Sequence, residues 1–199
     1  MTKLQRVLLT FWLAFLPVTG FAAEQLKLAD ISAYLNTITT LKAPFQQFND
    51  DGTTSTGTLY IRRPGRMRFE YDPPEEALVI AAAQAVVIFD GKSNQPPETY
   101  PLRKTPLSLI LARNVDLTRA RMVRESVFDG KTTTVTAYNP DEPDAGLIAL
   151  TFTDNPTQLR HWVVTDSGGG QTKVVLGAFE TGMQLPSSLF NPELERRQR

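Results

Sequence analysis

The sequence predicts a mainly β (α+β) protein built on a single, strongly curved antiparallel sheet with a few short α-helices. Two observations lead to this fold class. Apolar and polar residues alternate at residues 58–62 and 66–71, which is the period of strands that bury one face. The turn sequence Arg63-Pro64-Gly65 lies between these two segments, so we expect them to pair as a hairpin.

Further strands are predicted by the same alternation and by turn sequences such as Asp129-Gly130 and Asn155-Pro156. These strands fall at residues 77–82, 84–89, 120–128, 131–138, 147–153, 159–166 and 171–179. The proline-rich segment 94–101 is predicted to be a loop. The chain after Phe179, which ends in Arg196-Arg197-Gln198-Arg199, is predicted to be a disordered tail.

Two apolar segments have the spacing of helices. In the first, apolar residues recur at intervals of three, four and three, at Leu28, Ile31, Leu35 and Ile38. Because Pro44 disfavours helix at the residue before it, we expect this helix to span residues 27–41. A second, short helix is expected over residues 106–113, with one apolar side formed by Leu107, Ile110 and Leu111.

The N-terminus has the pattern of a secretory signal peptide. Lys3 and Arg6 precede an apolar run over residues 7–18, and small residues surround Ala22. The run is shorter than the roughly 20 residues that span a bilayer as a helix. We therefore expect residues 1–22 to be removed as a signal peptide and residues 23–199 to form one soluble domain. The alternative is an uncleaved membrane anchor or a buried helix.

Charge and cysteine content exclude several classes of protein. Without Lys3 and Arg6, 19 basic residues stand against 21 acidic ones, so the net charge is near −2 and gives no footprint for nucleic acid. The chain contains no cysteine, which excludes disulfides, thiolate metal sites and a cysteine nucleophile. It also excludes lipid attachment at a cysteine, so we expect the mature protein to carry no lipid anchor.

No group of residues indicates catalysis. His161 is the only histidine, and a single histidine in a predicted strand is most often a structural or surface residue. The acidic pairs near Glu75 and Asp141 lie beside prolines in predicted turns, where solvated carboxylates are common. Asp50-Asp51-Gly52 lacks the later ligands of a calcium loop. We expect no enzyme, no cofactor and no metal site.

The two apolar helices leave two interpretations open. A curved sheet covered by small helices encloses a cavity suited to an acyl chain or an apolar peptide. Alternatively, the same helices close a dry core that binds nothing. The hydrophobic periodicity alone does not distinguish a carrier from a structural protein.

Residues 45–74 contain a specific combination of short motifs. These are Phe45-Gln46-Gln47-Phe48, a glycine before Leu59-Tyr60-Ile61, and Arg63-Pro64 followed by Arg68-Phe69-Glu70-Tyr71 and proline. This combination resembles the LolA family of periplasmic lipoprotein carriers. Thr105-Pro106 with the apolar residues after it extends the similarity to about residue 113. The resemblance implies an incomplete, highly curved antiparallel β-barrel lidded by helices, whose cavity holds the acyl chains of a lipoprotein.

The resemblance also implies the residues of the site. Arg63 matches an arginine that closes the empty lid by hydrogen bonds to lid backbone, whereas Arg62, Arg66 and Arg68 are expected to be solvated. Apolar positions of the lid and cavity correspond to Leu35, Ile38, Phe69, Leu107, Ile110 and Leu111. In a closed, empty carrier these residues would also serve as ordinary core.

The family implies partners and a location. The cargo is an acylated lipoprotein, the donor is an inner-membrane ABC transporter complex, and the acceptor is an outer-membrane lipoprotein that carries a lipid anchor. A chain without cysteine resembles the soluble periplasmic shuttle, and we expect it to be a monomer. The alternative is a periplasmic lipid- or lipoprotein-sensing regulatory domain of the same fold.

The sequence departs from the family at the turns. Many members have Asp-Gly after the third or fourth strand, whereas this chain has Ala81-Ala82-Ala83-Gln84. The turn at residues 90–94 and its proline-rich continuation are also expected to have a different shape. These differences concern the range of cargo and the contacts with partners more than the fold.

Overall fold

The computed structural model describes residues 24–93 and 95–197. The predicted signal peptide lies outside these residues. The described helices are α1 (Leu28–Thr37), α2 (Leu107–Ile110) and α3 (Pro192–Arg196). The strands are β1 (Thr40–Asn49), β2 (Thr54–Arg62), β3 (Arg66–Tyr71), β4 (Leu78–Ala82), β5 (Ala85–Phe89), β6 (Glu98–Pro101), β7 (Val123–Phe128), β8 (Thr132–Ala137), β9 (Leu147–Thr153), β10 (Gln158–Thr165), β11 (Gln171–Leu176) and β12 (Glu180–Thr181). Short 3-10 turns lie at Leu102–Lys104, Pro143–Ala145 and Ser187–Phe190.

Within the described residues, all strands join one antiparallel sheet. The spatial order is β6-β5-β4-β3-β2-β1-β11-β10-β9-β8-β7, and β12 pairs with β1 beyond the end of β11. Because β6 and β7 stand at opposite ends of this order, the sheet is not closed. The predicted fold class, one antiparallel sheet forming an incomplete barrel with short helices, is confirmed.

The inner face of the sheet carries the main hydrophobic core. In β1 and β2 every second residue is buried, as at Leu41, Phe45, Leu59 and Ile61. Gly57 makes room on this face, because a Cβ atom there would lie 2.0 Å from the carbonyl oxygen of Glu70 and 2.8 Å from the Phe45 ring. The glycine of the Gly-Thr-Leu-Tyr sequence is therefore required by close packing between neighbouring strands.

The predicted helix over residues 27–41 is too long. α1 ends at Thr37, and Leu41 belongs to β1, where its burial fits the period of a strand as well as it fitted the period of a helix. Pro44 does not follow a helix but lies within β1. Its carbonyl accepts a hydrogen bond from the N–H of Gly177, on the side where β1 changes partner from β11 to β12, so the missing N–H of Pro44 interrupts no continuous pairing.

Two segments that were predicted to be irregular are ordered. The loop prediction for residues 94–101 is wrong for its second half, because Glu98–Pro101 forms the edge strand β6 against β5. The predicted disordered tail is also wrong, since β12, the turn at Ser187–Phe190 and α3 follow Phe179. The turn at Ser187–Phe190 contacts β3 and β4, and the outer face of β4 and β5 carries a second small core of Leu78, Ile80, Val87 and Phe89.

Arg68 anchors this C-terminal segment and is not a solvated arginine, so that expectation was wrong. Its side chain donates hydrogen bonds to Glu70, to Glu195 and to the carbonyl of Leu189, and only 8% of the residue is exposed. Arg62 similarly donates to the carbonyl of Leu185 at 2.7 Å. These outward-facing arginines bind the C-terminal segment, and the alternation of residues within their own strands does not predict this contact.

The turn between β4 and β5 has no Asp-Gly sequence, but it has the length and backbone that Asp-Gly favours, so the expectation of a different or extended turn was wrong. Ala82 pairs with Ala85, and the two turn residues Ala83 and Gln84 have φ angles of 47° and 65°. This is the left-handed backbone of a two-residue type I′ turn, which normally selects asparagine and glycine.

Candidate functional site

An aromatic cluster forms the centre of the inner face. The rings of Phe45 and Phe69 are perpendicular with centroids 5.0 Å apart, and Phe69 also makes an edge contact with Trp162 at 6.5 Å. Tyr71 completes the cluster, and its hydroxyl donates a 2.7 Å hydrogen bond to Gln47. Burial raises the pKa of Tyr71 to about 12, so its side chain is neutral at physiological pH. The interior is therefore apolar and uncharged at this point.

The two inner helices place their apolar sides over the same core. Leu35 and Ile38 come from the end of α1, and they are 4% and 7% exposed. Ile110 and Leu111 come from α2 and its C-terminal cap and are equally buried, while Leu107 is half-buried and packs against them. All six apolar positions named from the sequence, Phe69 included, thus belong to one hydrophobic core.

Arg63 lies at the end of β2's hairpin, between the C-terminal ends of the two helices. Its Nη1 donates to the carbonyl of Leu35 in α1, and its Nη2 lies 2.9 Å from Oδ1 of Asn36. Its Nε donates to the carbonyl of Ala112 at 3.1 Å, and Nη2 also approaches the carbonyl of Arg113 at 3.4 Å. One guanidinium therefore contacts both helical segments at once.

The charge of Arg63 complements these helix ends. The last carbonyl groups of a helix have no partner within the helix and carry partial negative charge, so a cation is favourable there. Burial lowers the pKa of the Arg63 guanidinium, but arginine remains protonated at neutral pH. Within the described residues, its hydrogen-bond partners are carbonyl and amide oxygens and it forms no ion pair with a carboxylate.

Backbone contacts strengthen the same junction. The N–H of Gly65 in the Arg-Pro-Gly turn donates to the carbonyl of Leu111 at 2.8 Å. A pocket of about 320 Å³ lies beside this contact, between α2 and the turns at Gly65 and Gln84. The hydroxyl of Ser108 in α2 is buried and has no hydrogen-bond partner in the described part of the chain.

Two polar residues of α1 also belong to this junction, and sequence reasoning missed them. Asn36 exchanges two hydrogen bonds with the backbone of Val115 as well as binding Arg63. Ser32 accepts a 2.9 Å hydrogen bond from the N–H of Leu117. The available signal was a polar side chain next to the apolar stripe of an amphipathic helix, but their partners lie 79 and 85 residues further along the chain.

The other titratable residues named from the sequence do not come together in a common site. His161 is half-buried on the outer side of β10, where burial and, to a lesser extent, Lys173 lower its pKa. Glu75 pairs with Lys92 at 2.9 Å and Asp141 with Arg119 at 3.1 Å, both at the surface. Over residues 24–93 and 95–197, no three acidic or histidine side chains group as metal ligands would.

None of the helices in these described ranges is both long and apolar enough to cross a membrane. A curved sheet with an apolar interior, covered by helices that hydrogen bonds fasten at one end, has the architecture of a carrier for apolar ligands.

The chain belongs to the family described as outer membrane lipoprotein carrier protein LolA, whose model matches residues 36–193. Proteins of this family are carriers and not enzymes.

Curated relatives carry the same description. An outer-membrane lipoprotein carrier protein of Chromobacterium violaceum is 26% identical over 174 residues, which cover 84% of each chain. One from Dechloromonas aromatica is 26% identical over 198 residues, covering 96% of this chain and 93% of the relative.

Solved structures share the fold at low sequence identity. A Vibrio parahaemolyticus domain whose name refers to outer membrane lipoprotein sorting has a TM-score of 0.51 and 9% identity, over 85% of this chain and 97% of that one. A DUF1329 family protein from Desulfovibrio piger has a TM-score of 0.50 and 9% identity, over 84% and 95%. At this identity the likeness concerns the fold alone.

Proposed function

We propose that the protein is a periplasmic carrier that shields the acyl chains of lipoproteins in its apolar interior and moves them from the inner to the outer membrane. The observation that carries this proposal is the lid junction at Arg63 over an apolar core, in a chain that belongs to a lipoprotein carrier family. The export signal pattern of residues 1–22 would deliver residues 23–199, as one carrier domain, to the periplasm.

A lipoprotein needs such a carrier because its acyl chains cannot cross water unprotected. Each exposed CH₂ group costs about 0.8 kcal/mol, so three acyl chains hold an anchored protein firmly in its membrane. A carrier must match much of this free energy and still release the cargo. Binding must therefore be adjustable rather than as tight as possible.

The lid provides the adjustment. Five of the six apolar residues of the site are buried in the described conformation and Leu107 is half-buried, so acyl chains reach the interior after α1 and α2 move. Arg63 is the lid-closing residue in this proposal. Opening breaks its hydrogen bonds to both helices, and hydrogen bonds of a charged group contribute about 1.5–3 kcal/mol each. This cost offsets part of the gain from acyl-chain burial, which keeps release accessible.

The partners follow from the direction of transfer. An inner-membrane ABC transporter complex supplies the acylated lipoprotein, and an outer-membrane lipoprotein acceptor receives it. The carrier acts as a monomer, without nucleic acid, cofactor or metal. The donor uses energy to open the lid, which is closed at rest, and to load the carrier with cargo. The acceptor then removes the cargo from the carrier.

Displacement of a hydrophobic fluorescent probe tests the binding step. We expect the purified protein to bind the probe and a triacylated lipoprotein to displace it, whereas the same lipoprotein without its acyl chains leaves the probe bound. The control separates acyl recognition from contacts with the polypeptide. A protein that binds neither probe nor acylated lipoprotein has a dry structural core, and that result would overturn the proposal.

A further inference from the structure

Asn36 uses both atoms of its side-chain amide at the junction of the two lid helices. Its Oδ1 accepts hydrogen bonds from Nη2 of Arg63 and from the N–H of Val115, each at 2.9 Å. Its Nδ2 donates to the carbonyl of Val115, also at 2.9 Å. The amide thus pairs with one residue through both a donor and an acceptor, as a neighbouring backbone would.

This two-point contact fixes the plane of the amide. A side chain with a single hydrogen bond can rotate about it, whereas two bonds to the same residue set both its position and its direction. Oδ1 is consequently held where Arg63 donates to it. Arg63 binds the carbonyl of Leu35 on one side and that of Ala112 on the other, so the orientation of its guanidinium depends on this oxygen.

Three parts of the chain meet at this one amide. Asn36 belongs to the last turn of α1, Val115 lies in the segment that follows α2, and Arg63 lies in the hairpin between β2 and β3. Val115 is only 4% exposed, so its N–H and C=O groups depend on Asn36 for hydrogen bonding. Separating α1 from the α2 segment would leave both groups without these partners.

We propose that Asn36 is a positioning residue that orients the Arg63 guanidinium and joins α1 to the α2 segment, so that the two helices open as a single lid. The inference rests on the proposed lid function. Without this amide, the Arg63 guanidinium loses the oxygen that orients it and α1 loses two hydrogen bonds to the α2 segment, so the coupling between the two helices weakens and each can open at its own cost.

Ser32 provides a matched control. Its hydroxyl also links α1 to the segment after α2, through the N–H of Leu117 at 2.9 Å, and the residue is buried. It makes no hydrogen bond to Arg63, whose partners lie on Leu35, Asn36, Ala112 and Arg113. Ser32→Ala removes one hydrogen bond between these two segments and Asn36→Ala removes two, but only Asn36→Ala also removes a partner of Arg63.

Amide hydrogen exchange of the full chain measures the coupling directly. The reporters are the amides of residues 31–35 in α1 and of Leu111 and Ala112 at the end of α2. Val115 and Leu117 are excluded, because their N–H groups bind the side chains being removed. In the unmodified protein we expect both groups to exchange with the same protection. In N36A we expect the protection factors of the α1 amides and the α2 amides to differ by about tenfold. In S32A we expect the protection factors of the two helices to remain equal.

A double-mutant cycle adds a readout that lost packing alone would not change. The effect of Arg63→Leu on lid exchange should be about tenfold smaller in the N36A background than in the unmodified protein, and unchanged in the S32A background. Asn36→Asp retains an oxygen for Arg63, so the effect of R63L should stay large in this background. The same variant replaces the Nδ2 donor with an oxygen that faces the carbonyl of Val115, so the protections of α1 and α2 should still differ. It therefore tests the inference if N36A does not fold. Equal effects of R63L in all backgrounds, or equal protections in N36A, would overturn the inference. Since exchange needs no cargo, a failure of the carrier function would show separately, in probe displacement.

Discussion

Arg63 can serve both helices because of the shape of its side chain. A guanidinium presents donors in a rigid planar fork, and three of its nitrogens here reach oxygens on two separate segments. A lysine ammonium is one compact point and would not bridge the same span. The acceptors are uncharged, so the contact is weaker than a buried ion pair and suits a lid that must open repeatedly.

Arg63→Leu should separate acceptance of cargo from delivery. The variant keeps the sheet and the apolar interior but loses the hydrogen bonds that favour the closed lid, so acyl chains enter as before and leave with more difficulty. We expect soluble complexes to form with normal yield and transfer to outer-membrane vesicles to fall by about tenfold or more, since several charge-assisted bonds are lost.

Arg66→Leu is the matched control for this prediction. Arg66 lies on the same hairpin and directly opposite Arg62, but its side chain makes no hydrogen bond or ion pair within the described residues. Transfer by this variant should equal that of the unmodified protein. Equal transfer by the Arg63 and Arg66 variants would contradict the lid-closing role.

The predictability of individual residues depended on where their partners lie. The role of Arg63 was predicted through the resemblance of the surrounding residues to a known family, and the apolar site residues through the same resemblance together with their spacing along each element. Asn36 and Arg68 were missed because their partners are 79 and 127 residues distant, and no local pattern distinguishes a polar side chain that binds a remote segment from one that binds water.

At the scale of elements, the strands with strict alternation and clear turns were predictable, and β2 and β3 are the best examples. The boundary between α1 and β1 was not. The positions of Ile31, Leu35, Ile38 and Leu41 satisfy a helix, while Leu41, Ala43 and Phe45 satisfy a strand. Only the pairing of Leu41 with β2 and β12 decides between them. Tertiary contacts likewise ordered β6 and the C-terminal segment against local signals.

The hairpin between β4 and β5 carries a measurable strain. Ala83 and Gln84 adopt left-handed backbone angles that cost non-glycine residues roughly 1 kcal/mol or more each. The double substitution Ala83→Asn with Gln84→Gly introduces the residue types that this turn favours. It should therefore raise the free energy of unfolding by about 1–2 kcal/mol, as measured by urea denaturation.

The same pair of substitutions, placed one residue closer to the N-terminus, is a suitable control. Ala82→Asn with Ala83→Gly places asparagine in β4, where Ala82 packs against the outer core, and leaves Gln84 in its strained conformation. This variant should be less stable than the unmodified protein. If the first variant gained no stability, the turn would not be of the type that the backbone angles indicate.

At the scale of the whole molecule, the two faces of the sheet have different roles. The inner face, with its aromatic cluster and the two lid helices, is the candidate site for acyl chains. Part of the outer face is covered by the C-terminal segment through Arg62, Arg68 and the small core of β4 and β5. The hydrophobic burial of the sheet therefore does not depend on its inner face alone.

Release of a lipoprotein from its membrane tests the central claim most directly. Inner-membrane vesicles that contain the donor complex and a labelled triacylated lipoprotein are supplied with ATP and mixed with the purified protein, and the supernatant is then analysed. The carrier function predicts that labelled lipoprotein appears in solution in a stoichiometric complex with this protein, and that none appears when the protein is omitted. If the label stays in the vesicles at every protein concentration while a known carrier releases it, the carrier function is contradicted.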